Sequence, residues 1–149
     1  MCNVEWYIRK HYLLLSHPHP TVALHIIIVL TFTLNLHISL QVVHYQDGQK
    51  YDAHHDWGFP AYNTRCMTLL LYLTDQADPT VGGETSFPKG DDGRGNAFKV
   101  RPKKGSAVLF YNLLADGNGD DLALHAAMPV AHGEKYVANF WVWDPKRIG

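Results

Sequence analysis

Cysteine is nearly absent from this chain: Cys2 and Cys66 are the only two in 149 residues, too few for a disulfide framework. Cys66 opens an apolar run, where a buried thiol is the ordinary outcome, so cysteine usage leaves the redox compartment open. An excess of either charge is missing too. Thirteen Lys and Arg against fourteen Asp and Glu leave a net charge of −1 and a pI near 6.8. That balance supplies no basic field for nucleic acid. No apolar run reaches the ~20 residues that span a bilayer; Thr21 to Leu34 covers fourteen, and membrane anchoring is not evident. Internal repeats and low-complexity tracts are also lacking. What remains, 46% hydrophobic, suits one domain with a real core.

Histidine, by contrast, is plentiful at ten. His54-His55-Asp56 offers a ligand pair if the segment is extended, because residues i and i+2 of a strand share a face while i+1 points away. His54 and Asp56 then converge and His55 is excluded. Asp47-Gly48, between two strand-like segments, is a hairpin signal that favours the extended reading. Ten His and eleven Asp yield roughly 0.7 chance occurrences of His-x-Asp, so the tripeptide alone says little. His132-Gly133-Glu134 has similar spacing, but Gly133 reads as a turn, where the two side chains need not converge. His11, His17, His19, His25 and His37 show no ligand spacing within a defined element and read as incidental.

Lys135 to Trp143 is rich in β-branched and aromatic residues and reads as a strand. One face carries Lys135, Val137, Asn139 and Trp141, a cation at one end and an indole at the other. A lysine on so apolar a strand is costly to bury unless an anion meets it. Met67 to Leu73 and Ser106 to Leu113 are nearly continuous apolar runs, as strands buried on both faces would be. Asp75–Pro79 and Lys89–Asn96 read as loops, the second polar enough to be mobile.

From about Leu40 to Trp143 the motifs fall in one order. They are Gln41-Val-Val-His-Tyr45 with Gly48-Gln-Lys-Tyr51, His54-His-Asp56, Arg65-Cys-Met-Thr-Leu-Leu-Leu-Tyr-Leu73, and Gly82-Gly-Glu-Thr-Ser-Phe-Pro88. Then follow Val100-Arg-Pro-Lys-Lys-Gly105, Ala107-Val-Leu-Phe-Tyr-Asn112, His125-Ala-Ala-Met-Pro-Val130 and Gly133-Glu-Lys135. This stretch resembles the catalytic domain of the prolyl 4-hydroxylases, members of the 2-oxoglutarate/Fe(II)-dependent dioxygenases. The resemblance implies a mainly β chain folded as a double-stranded β-helix (jelly-roll), with few or truncated N-terminal supporting elements. It implies His54, Asp56 and His125 as ligands of Fe(II), a 2-His-1-carboxylate set that leaves open positions for 2-oxoglutarate and O2. Lys135 would pair with the distal carboxylate of 2-oxoglutarate, with Tyr45 and Thr85 as its hydrogen-bonding partners. Arg65 and Trp141 are weaker transfers, toward the peptide site. L-ascorbate is implied as reductant, a proline-rich or collagen-like peptide as substrate, and the endoplasmic reticulum or secretory pathway as compartment. One departure stands out: the segment after the distal histidine often carries Cys in the family, and here it has Met128.

The reading is peptidyl-proline 4-hydroxylation coupled to oxidative decarboxylation of 2-oxoglutarate to succinate and CO2. Two alternatives stay open: a related 2-oxoglutarate oxygenase with another substrate, and a non-catalytic, truncated jelly-roll binding module. Residues 41–149 form the expected dioxygenase domain. Residues 1–40 do not resemble the family. They read as an atypical or wrongly predicted start, or else as a hydrophobic packing or anchor segment. Arg9 and Lys10 before the apolar run loosely imitate a signal peptide, but Asn35-Leu-His-Ile lacks a small-residue cleavage site.

Overall fold

The computed structural model describes residues 5–9, 12–16, 40–58, 64–76 and 78–143. The apolar run from Thr21 to Leu34 and the scattered histidines at 11, 17, 19, 25 and 37 lie outside them. Ten strands are present among the described residues: β1 (Glu5–Arg9), β2 (Tyr12–Ser16), β3 (Leu40–Tyr45), β4 (Tyr51–His54), β5 (Arg65–Tyr72), β6 (Thr85–Asp91), β7 (Ala97–Val100), β8 (Ala107–Tyr111), β9 (His125–Ala127) and β10 (Lys135–Trp143). The described helical segments are two single 3-10 turns, Pro79–Val81 and Asp121–Ala123. The strands form a six-stranded sheet in the order β1-β2-β8-β5-β10-β3 and a four-stranded sheet in the order β4-β9-β6-β7. All pairings are antiparallel. This is the two-sheet jelly-roll, closed around a space between the sheets.

β8 and β5 form the centre of the larger sheet, with β10 beside β5, and the apolar run of β5 is buried on both faces. Leu70 and Tyr72 of β5 point inward, with Val108 and Phe110 of β8 and Val137 of β10, against Phe87 of β6 and Phe98 and Val100 of β7. Leu69, Leu71, Ala107, Ala138, Phe140 and Val142 form a second buried cluster on the outer face. The two-residue period of a strand therefore splits one continuous hydrophobic run between two cores. Phe87 and Phe110 meet edge to face with ring centroids 5.3 Å apart, joining the sheets at the centre. Cys66 is half-buried rather than buried, and its Sγ donates to the Val142 carbonyl at 3.3 Å.

Three expectations need correction. Asp47-Gly48 makes a turn, with Gln49 N donating to Gln46 O at 2.9 Å and Gly48 at φ +77°, but β3 and β4 do not pair. They belong to different sheets. The turn is tied instead to the strand-like segment after β9: Gly48 N donates to Val130 O at 2.6 Å and Val130 N to Gln49 O at 3.1 Å. A turn dipeptide sets local direction, and here that direction carries the chain from one sheet to the other.

The 89–96 loop is also shorter than its polarity suggests, because Lys89 to Asp91 continue β6. Its remainder is braced. Asp91 Oδ1 accepts from Gly93 N and Gly95 N at 2.7 and 3.1 Å, and Asp92 Oδ1 from Arg94 N and Asn96 N at 2.7 and 3.2 Å. At the strand ends, Leu73, Ser106, Asn112 and Leu113 lie outside β5 and β8.

Candidate active site

β4 and β9 place two imidazoles side by side. His54 and His125 are register partners across the antiparallel pair, with ring centroids 4.3 Å apart. Asp56 is not in the strand: β4 ends at His54, and the chain bends so that the Asp56 side chain, 4% exposed, turns back toward both rings. Its Oδ1 lies 3.8 Å from His54 Nε2 and its Oδ2 3.9 Å from His125 Nε2. These separations are too long for hydrogen bonds. They lie within the ~4 Å that two ligands, each ~2 Å from one ion, can bridge. One donor atom from each of the three residues falls within 4.8 Å of the others.

The tautomers are set from behind. His54 Nδ1 donates to the Asp52 carbonyl at 2.8 Å and His125 Nδ1 to the Ala123 carbonyl at 2.9 Å. A carbonyl only accepts, so each Nε2 is left with a free lone pair facing Asp56. Burial against Phe110 and Phe87 pushes the His125 pKa down, against the pull of Asp56, which favours the neutral ring that a metal ligand requires. The donor set thus fits a first-row divalent ion with positions to spare.

His55 lies beyond the end of β4 and lines the cavity, but its ring is engaged elsewhere: its Nε2 lies 3.8 Å from Asp121 Oδ1, and its ring packs against Trp57. Gly133 at φ +86° turns the chain, and Glu134 faces His44 at 3.6 Å, so His132-Gly133-Glu134 contributes no ligand pair.

Asp56 is held by groups from the larger sheet. Thr68 Oγ1 donates to its Oδ2 at 2.6 Å, Trp141 Nε1 donates to the same oxygen at 3.0 Å, and Arg65 Nη1 reaches Oδ1 at 3.3 Å. The Arg65 guanidinium stacks 3.8 Å over the Trp141 ring and lies 5.4 Å from that of Trp143. Arg65 and Trp141, expected at the peptide site, do line the cavity, but what they touch is the carboxylate.

The cavity of about 540 Å³ runs from these residues to Lys135 and is walled by Lys135, Val137, Asn139 and Trp141. These are the four residues of the period-2 face. Lys135 is 1% exposed, and among the described residues no carboxylate lies within ion-pair distance of its Nζ. Burial lowers its pKa to about 8, against a weaker upward pull from Glu84. A buried cation without a counter-ion, at the end of a cavity of this size, could receive an anion. Tyr45, its cross-strand partner, presents its ring 5.3 Å from Nζ, and burial raises the Tyr45 pKa. Thr85 Oγ1 accepts from the buried Tyr72 hydroxyl at 2.9 Å, which leaves its own proton free for the cavity. Burial, the dominant influence on Tyr72, drives its pKa up and keeps that phenol protonated as the donor.

Thr68, Asn112 and Tyr72 were not among the expected site residues. Their one sequence signal is a polar group in a run that is otherwise apolar.

The fold and site define a jelly-roll whose three-residue donor set could hold a divalent metal, with a buried ammonium in the same cavity. The chain belongs to the 2OG-Fe(II) oxygenase superfamily, whose family model matches residues 40–143. It is 38% identical over 128 residues to prolyl 4-hydroxylase 13 of Arabidopsis thaliana, covering 76% of this chain and 45% of that protein. It is 41% identical over 124 residues to prolyl 4-hydroxylase 2 of the same plant, covering 70% and 40%. The chain thus spans less than half the length of these relatives. Among solved structures, the viral collagen prolyl hydroxylase of Paramecium bursaria Chlorella virus-1, in its 2OG complex, superposes with a TM-score of 0.61 at 25% identity, covering 95% of this chain and 79% of that one. A prolyl hydroxylase of Trichoplax adhaerens shares the fold, with a TM-score of 0.59 at 21% identity, covering 94% and 66%.

Proposed function

We propose that this chain hydroxylates peptidyl proline at C4, with oxidative decarboxylation of 2-oxoglutarate to succinate and CO2. One observation carries the reading: a two-histidine, one-carboxylate donor set and an unpaired buried ammonium share a single cavity. The prolyl 4-hydroxylase relatives and the likeness to a viral collagen prolyl hydroxylase support it.

Fe(II), held by His54 Nε2, His125 Nε2 and Asp56, supplies O2 activation when it and 2-oxoglutarate are bound. The protein positions and shields. Lys135 Nζ, with Thr85 and Tyr45 alongside, fixes the distal carboxylate, so the 2-oxo end is directed toward the histidines. Val43, Leu70 and Val137 line the path between and exclude water from it. The Trp141 and Arg65 stack at the metal end offers a flat surface for a proline-rich or collagen-like segment, whose polyproline II form is already ordered before binding. One O2 oxygen enters the proline C–H bond as a hydroxyl and the other enters succinate. Ascorbate is the reductant we assign to restoring Fe(II) after turnover without substrate.

The test is succinate formation from 2-oxoglutarate, with Fe(II) and with or without a proline-rich peptide, followed by mass analysis of the peptide. Peptide-stimulated succinate with a +16 Da shift on proline is the expected result. Peptide-independent turnover would assign another substrate. No iron-dependent turnover in a folded, metal-loaded chain would leave a binding module.

A further inference from the structure

We propose that Thr68 and Asn112 are positioning residues for the Asp56 carboxylate, a hydrogen-bond relay that reserves Oδ2 for the protein and leaves Oδ1 for the metal. The inference rests on the metal-site reading above. Asn112 follows β8, Thr68 lies mid-β5, and Asp56 lies beyond β4 in the other sheet's chain segment. Asn112 Nδ2 is 2.8 Å from Thr68 Oγ1, which is 2.6 Å from Asp56 Oδ2.

Chemistry fixes the direction of this relay. A carboxylate paired with Arg65 only accepts, so the short contact is made by the Thr68 proton. A hydroxyl has one proton. With it committed to Asp56, Thr68 Oγ1 can only accept from its other neighbour, and the Asn112 atom that faces it must be the NH2 group. Reversing that amide would set two acceptors against each other or pull the Thr68 proton away from Asp56.

Asn112 bears a cost for this arrangement. Its side chain is 0% exposed and its Oδ1 has no hydrogen-bond partner. A buried, unsatisfied acceptor is destabilising, and native structures keep few of them. An apolar residue would fill the same space without that cost, so the Nδ2 donor is what the position supplies. The residue is also locked in place: its backbone N donates to Cys66 O at 2.9 Å, and its carbonyl accepts from Asp120 N at 2.8 Å.

The outcome is an asymmetric carboxylate. Oδ2 receives two good donors, Thr68 at 2.6 Å and Trp141 at 3.0 Å. Oδ1 has one long contact, from Arg65 at 3.3 Å, and faces His54 Nε2 at 3.8 Å. Oδ2 also faces an imidazole, His125 Nε2 at 3.9 Å, so the two oxygens differ in donor load: Oδ1, with the single longer contact, has the lone-pair capacity to spare.

Mn(II), a redox-stable stand-in for iron, is titrated calorimetrically into the full chain and into Thr68→Val, Thr68→Ser and Asp56→Ala. Co(II) absorption serves as a coordination readout and thermal unfolding as a control. The valine variant, isosteric but without the hydroxyl, is expected to lose about 10- to 100-fold in Mn(II) affinity, the usual effect of removing a group that orients a ligand, and to alter the Co(II) bands. The serine variant should restore both. A purely packing role would shift the unfolding temperature and leave the Co(II) spectrum alone. The relay is overturned by a folded Thr68→Val protein with parental affinity and spectrum, or by a serine variant as weak as the valine one. If Thr68→Val does not fold, Asn112→Ala decides, since it removes the orphan oxygen together with the donor: weaker Mn(II) binding supports the relay and unchanged binding overturns it. Parental affinity in Asp56→Ala would overturn the metal site itself, a separate result.

Discussion

Lys135 is the residue whose removal has the narrowest expected signature. Leaving the distal carboxylate of 2-oxoglutarate without its ammonium costs on the order of 3 kcal/mol. Lys135→Ala is therefore expected to raise the KM for 2-oxoglutarate about a hundredfold. Mn(II) affinity should stay put, because Lys135 touches none of the three donors. Lys135→Arg restores only part of the loss, since the planar fork is larger than the ammonium it replaces. Steady-state kinetics alongside metal titration checks all three statements.

The pKa of about 8 adds a pH signature. The folded value lies below the ordinary 10.5, so between those two values the folded chain holds fewer protons than the unfolded one. The burial cost of Lys135 to the ligand-free fold is full below about 8 and is relieved as pH rises through that window. Affinity for the dianion runs the other way and falls as pH rises above about 8. Binding near that pH takes up protons, which calorimetry in buffers of differing ionisation enthalpy measures. His54 and His55 make a second residue-scale contrast: His54→Ala should lose Mn(II) binding, whereas His55→Ala, facing Asp121, should keep it. The pairing of His54 with Asp56 is suggested by local spacing, but a bend after β4 rather than strand alternation brings them together. The groups that hold Asp56 are not legible in that spacing, because Thr68 lies 12 positions away and Trp141 85.

At the level of elements, the bend after β4 decides where Asp56 points, and Trp57 anchors that bend. Trp57 Nε1 donates to the Asp120 carbonyl at 3.1 Å, and its ring lies flat on Gly119, where an added Cβ would sit 2.4 Å from it. Gly119→Ala must therefore displace the indole, at a cost of roughly 1–3 kcal/mol, and should weaken Mn(II) binding by moving Asp56. Trp57→Leu in the same chain should relieve part of the stability loss. Unfolding midpoints and metal titrations of the two single variants and the double variant measure both effects. Strand identity in β5 and β10 follows from their apolar and β-branched content, and the inner face of β10 follows from its period. The partner of β3 does not. Asp47-Gly48 is strong hairpin chemistry, yet the return strand pairs in the other sheet, alongside hydrogen bonds from the turn to Val130, 82 positions beyond Gly48.

For the molecule as a whole, the two sheets contribute different halves of one site. The smaller sheet brings both imidazoles, while the larger brings Lys135 and the groups that grip Asp56. The distance between them is set by Phe87 and Phe110, which meet in the middle. Phe110→Ala is expected to cost about 3–5 kcal/mol and to loosen His125, whose ring packs 4.8 Å from that of Phe110. Denaturant unfolding and Mn(II) affinity should fall together. On the proposed function, an ion coordinated by His54, His125 and Asp56 would do more than serve chemistry. It would tie a carboxylate gripped by one sheet to imidazoles rooted in the other, as a rivet joins two plates. By mass action, free metal at a hundred times its Kd adds about 2.7 kcal/mol to the folded state. The melting temperature should climb with the logarithm of metal concentration and fall back on chelation, so heat resistance becomes a gauge of cellular metal supply.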